Sequence, residues 1–83
     1  MSHTPHELHD EFPDDADLLR EMKLSNGHFQ KVSADYHEVN REIHRIEAEV
    51  EHASDDRLED LKKRRLAMLD EVSKMIAKAR ASA

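Results

Sequence analysis

The stretch FQKVSADYHEVNREIHRIEAEV, Phe29 to Val50, decides the fold. Its apolar residues fall at Phe29, Val32, Tyr36, Val39, Ile43, Ile46 and Val50, a three-four alternation held over three heptads. At 3.6 residues per turn such spacing collects every apolar side chain on one stripe, as a helix packed lengthwise on a neighbour requires. The pattern predicts a helix over about 26–51, on the order of 38 Å long at 1.5 Å per residue.

His52, Ala53 and Ser54 interrupt the stripe, and Ser54 or Asp55 followed by Asp56, Glu59 and Asp60 marks a new capped start. A second long helix is expected over about 55–80, with Lys74, Lys78 and Arg80 suiting its negative end. If the two fold back on each other, Val50 should face Leu58, Ile46 Leu61, Val39 Met68, Tyr36 Val72 and Val32 Met75. The polar intruder is Arg65, opposite Ile43, which must reach solvent or find an acceptor. In this register Glu49 comes beside Arg57 and Glu42 beside Arg64, while Asp35 meets Glu71 unfavourably. The fold class is therefore all-α, an antiparallel coiled-coil-like hairpin.

Upstream, Pro13 and the acidic Asp14, Asp15 and Asp17 suit a helix start, and Leu18, Leu19 and Met22 share one side. This predicts a short N-terminal helix over about 14–24, closed by Ser25, Asn26 and Gly27. Residues 1–12 are polar, histidine-rich and without apolar periodicity, so they read as a flexible tail in which His3, His6 and His9 have no preorganised geometry. Residues 13–83 form a single domain.

Composition agrees with this class and narrows the function. One glycine, two prolines, 4% aromatic and 39% charged residues are what exposed helices use. Without cysteine there are no disulfides or thiolate metal sites, and 83 residues bury too little surface to be comfortably stable without further support. The formal charge of −6 opposes general affinity for nucleic acid or anionic lipid. No apolar run approaches a membrane span and the start lacks a secretion signal, so a cytoplasmic location and no membrane partner are expected.

The run HFQKVSADYHEVNREIHRIE, followed after the turn by LEDLKKRRLAMLDE, resembles the YdcH family of small bacterial proteins over roughly residues 24–71. The resemblance rests on His28 and Phe29, Tyr36 and His37, Ile43 to Glu47, and Leu61 to Arg65. It implies a cytoplasmic bacterial helical hairpin. The family is functionally uncharacterised, so the resemblance carries over no catalytic residues.

Several groups invite a chemical reading. His37 and His44, seven apart with Arg41 between them, share a helix face, but helical ligands of one metal sit three or four apart and a central cation opposes binding. The stripe His37, Arg41, His44 is read instead as a polar contact surface. Glu49 and His52 make one Glu-x-x-His, the spacing of di-iron bundles, without a second copy on the other helix. They are the metal candidates. Acidic residues gather at the hairpin tip, from Glu47, Glu49 and Glu51 to Asp55, Asp56, Glu59 and Asp60, where a divalent cation or basic partner would be attracted. Lys62 to Arg65 look basic as letters, yet four consecutive helical residues spread over about 300° and form no phosphate-tracking stripe. Tyr36 belongs to the seam, with its hydroxyl at the rim.

No caged nucleophile, phosphate-binding glycine loop or implied cofactor is legible, so the chain is expected not to be an enzyme. The second long helix carries more apolar surface than the seam uses, because Leu66, Leu69 and Ile76 form a row beside it. The short helix with Leu18, Leu19 and Met22 is one candidate to cover part of it, and two-helix hairpins commonly complete such a core by dimerising. The expectation is a self-associating interaction protein, a dimer favoured, with an unidentified protein partner meeting His37, Arg41, His44, Leu66, Leu69 and Ile76. A metal-binding bundle is the alternative, and a nucleic-acid-associated regulator a distant one.

Overall fold

A computed structural model describes residues 6–49 and 52–82 of the chain. Four helices follow one another, α1 Leu8–Glu11, α2 Ala16–Ser25, α3 Gly27–Glu47 and α4 Asp55–Ala81, with a 3-10 turn at Pro13–Asp15 and no strand among the described residues. The fold is all-α. At 1.5 Å per residue the 27 residues of α4 run about 40 Å. That is nearly the whole long dimension of the molecule, which measures 44 × 28 × 20 Å.

Local chemistry sets each boundary. Pro13, whose ring fixes φ near the helical value, opens the 3-10 turn. Asn26 ends α2 and starts α3 together: its N–H donates to the Met22 carbonyl at 2.8 Å, and its side-chain oxygen accepts from the Phe29 N–H at 3.0 Å. Ser54 caps α4 in the same way, its hydroxyl oxygen accepting from the Arg57 N–H at 3.1 Å. Each cap satisfies a donor that the first turn would otherwise leave without a partner.

Helix α3 stops at Glu47, four residues short of the expected end. Beyond it Glu49 takes φ 63°, the left-handed conformation that closes a helix, and donates its N–H to the Ile46 carbonyl at 3.1 Å. Acidic side chains at a helix C-terminus oppose its dipole, which favours termination there. Val50 and Glu51 lie outside the described residues, and with Val50 its expected pairing with Leu58. His3 lies outside them too.

α3 and α4 pack antiparallel. From one end of the pair to the other, His28 meets Glu71 at 2.7 Å, Asn40 meets Arg65 at 3.0 Å, and Glu47 meets Lys62 at 2.9 Å. Of the expected seam residues Val32, Tyr36, Ile43, Leu61 and Val72 are buried, while Val39, Ile46, Leu58, Met68 and Met75 are half-buried. The flanking charges pair differently from expectation. Glu42 reaches Arg57, not Arg64; Arg64 turns to Asp60 on its own helix at 3.3 Å; and Glu71 is taken up by His28. Long flexible side chains and exposure explain the freedom, since such pairs are each worth about 0–1 kcal/mol and do not dictate a register.

Most of the core lies at the open end of this pair. Leu8, Leu19, Met22, Phe29, Val32, Tyr36, Val72 and Ile76 form one buried cluster, with Phe12, Leu18, Met68, Leu69, Met75 and Ala79 against it. Two expectations are corrected here. The supposed tail contributes a helix, with Leu8 buried and Phe12 packed on the cluster. The second apolar row is mostly used by the chain itself: Ile76 is only 4% exposed and Leu69 is half-buried, whereas Leu66 is 61% exposed. The hydrophobic gain of covering these side chains is as available to α1 and α2 as to a second subunit.

Candidate interaction surface

Two surfaces flank the α3–α4 pair, and they differ in what covers them. On one side α1 and α2 lie over the part of α3 that carries Phe29, Ser33, Tyr36 and His37. Polar contacts hold this cover. The Tyr36 hydroxyl donates to the His6 carbonyl, the Glu7 carboxylate bonds His37 Nδ1 at 3.2 Å, and Arg80 pairs with Asp15. The Tyr36 side chain is fully buried, and burial, with Glu11 adding to it, raises its pKa from 10 to about 12. A buried phenol whose proton is held by a carbonyl resists ionisation because the anion would lose both water and its acceptor.

Beneath the cover lies a polar layer that the apolar spacing alone could not reveal. Asn40 is 1% exposed. Its side-chain oxygen accepts from Arg65 Nη1 at 3.0 Å, and its amide nitrogen donates to Glu7 Oε1 at 3.5 Å. The acceptor that Arg65 requires is thus Asn40, and Glu7 links it onward to His37. Toward the turn the core resumes with Ile43 and Leu61. A single hydrogen-bonded polar layer in an apolar seam fixes which residues face each other, since a slipped register would bury Asn40 and Arg65 without partners.

The other side of the pair is open. Asp35, Glu38 and Val39 from α3 and Arg64, Ala67 and Met68 from α4 line a groove of about 440 Å³. No residue of α1 or α2 is in its lining. Val39 and Met68, expected to face each other, both border it.

The remaining sequence candidates fall as follows. His37 is committed to Glu7, Arg41 is exposed and His44 is half-buried, so the expected stripe is divided between an internal contact and solvent. Glu49 and His52 are both exposed, and no group of three or more His, Asp or Glu side chains able to hold a metal occurs among the described residues. The basic run disperses as its angular spread requires. Lys62 meets Glu47 at 2.9 Å, Lys63 meets Glu59 at 3.4 Å, Arg64 meets Asp60 and Arg65 meets Asn40. At the tip Glu59 and Asp60 are the partners of these cations. No described helix is long and apolar enough to cross a membrane.

In comparison with known families, residues 29–76 fit the model described as a protein of unknown function, DUF465. No curated protein and no solved structure matches the chain.

Proposed function

The chain belongs to DUF465, the YdcH-type family of unknown function, and, with no reaction to inherit from it, we propose on surface geometry that the protein is a non-enzymatic, self-associating helical hairpin that acts by binding protein. The observation that carries this reading is the uncovered side of the α3–α4 pair, where Val39, Ala67 and Met68 remain in an open groove after α1 and α2 have closed the other side. Half-buried apolar side chains between two long parallel ridges suit a further helix or helix pair, which would complete a bundle. The size of the chain supports the same reading, because a core this small gains from a second subunit. A cytoplasmic location is part of the proposal.

Sedimentation equilibrium across the micromolar range tests it. The expected result is a species of twice the 9.7 kDa chain mass that dissociates on dilution. A monomer throughout that range would overturn the self-association.

A further inference from the structure

We propose that the occupant of the α3–α4 groove is a second copy of this chain, related by a two-fold axis running along the helices, so that each α3 lies over the partner's α4. This rests on the self-association proposed above and adds its geometry. The argument is one of charge. The two walls of the groove have opposite signs: α3 supplies Asp35 and Glu38, and α4 supplies Arg64, with Val39, Ala67 and Met68 between them.

A face-to-face two-fold dimer over this groove has two simple choices of axis. An axis across the helices lays α3 on the partner's α3, bringing Asp35 and Glu38 against their own copies at the centre, where like charges are costly. An axis along the helices keeps every residue at its height and exchanges the walls. Glu38 then comes within reach of the partner's Arg64, and by symmetry the contact occurs twice. The guanidinium has five N–H donors, so Arg64 can retain Asp60 on its own helix and still accept a new partner.

Beyond the groove the neighbouring edge charges are already paired within the chain, Glu42 with Arg57 toward the turn and Glu71 with His28 toward the open end. Two walls of unlike sign are complementary to themselves under one rotation and not under the other.

Charge exchange tests the axis. Glu38→Lys alone sets cation against cation at both contacts, and Arg64→Glu alone sets anion against anion. Each variant is expected to dimerise at least about tenfold more weakly than the parent chain at low salt. An equimolar mixture of the two restores opposite charges at both contacts, as does the double variant Glu38→Lys/Arg64→Glu. Both should recover the parent dissociation constant within a few-fold, measured by sedimentation, with helical circular dichroism melts confirming that every variant folds. Single variants that still dimerise like the parent would overturn this axis while leaving self-association intact. Weakened single variants without recovery in the mixture would also overturn the pairing. A monomeric parent chain would overturn the self-association itself.

Discussion

The Tyr36 hydroxyl donates its proton to the backbone carbonyl of His6, thirty residues earlier in the chain. This bond, with Leu8 buried beside it, makes the N-terminal segment part of the core. Tyr36→Phe keeps the ring and removes the donor, leaving the carbonyl to find water. The expected cost is about 1 kcal/mol. Hydrogen exchange should localise it: amides of α1 should lose protection while those in the middle of α3 and α4 keep theirs. Uniform loss, or none, would show that the hydroxyl does not hold the segment.

The same residue sets an alkaline limit. Its pKa rises from 10 in the unfolded chain to about 12 in the fold, so the folded state holds its proton longer. That contribution is fully present below pH 10 and is lost as the pH climbs through 12, to the extent of about 3 kcal/mol. Lysines also titrate in this window, so the comparison is with Tyr36→Phe. Urea midpoints between pH 9 and 12 should fall more steeply for the parent chain than for the variant, and parallel curves would contradict the assignment.

Asn40 and Arg65 should behave as a unit. Asn40→Leu alone strips a half-buried guanidinium of its acceptor and is expected to destabilise by about 1–3 kcal/mol. Replacing both, Asn40→Leu with Arg65→Leu, removes the polar layer altogether and should recover most of that loss. A double-mutant cycle measures the coupling directly. Additive effects would mean that the two side chains contribute independently.

Glu49 occupies a left-handed backbone position, φ 63°, that costs a residue with a β-carbon about 1 kcal/mol. Glycine there avoids the clash and also removes a negative charge from the helix C-terminus. Glu49→Gly is therefore expected to raise stability by about 0.5–1 kcal/mol in thermal melts. A variant less stable than the parent would place Glu49 in an interaction worth more than its strain.

Ile76 and Leu66 discriminate between a core completed within the chain and one completed between chains. Ile76→Ala should cost about 2–4 kcal/mol at any protein concentration, since its neighbours are in the same cluster. Leu66→Ala should stay within about 0.5 kcal/mol. A Leu66 effect that grew with protein concentration would assign that side chain to an interface.

The helices were legible because their cause is local. The stripe from Phe29 to Ile46, the Ser54 cap and the acidic start of α4 each act within a few residues, and α4 runs within a residue of its expected end. The partners of Glu42 and Arg64 are not legible in the sequence because exposed charges choose among several neighbours of nearly equal energy. Asn40 is not legible as core because a polar letter in a heptad pattern reads as surface until a partner is placed over it. Its three-residue spacing from Ile43 and four-residue spacing from Tyr36 are the signal the sequence offers.

The sequence by itself determined the all-α class, the two long helices and the break between them, because hydrophobic periodicity and capping are properties of contiguous residues. Only the tertiary structure decided which apolar faces the chain covers for itself. It placed Leu8 and Ile76 in one cluster, joined His6 to Tyr36, and left the Val39–Met68 side open. Those outcomes turn on competition between distant segments for the same surface, and no local pattern records which segment wins.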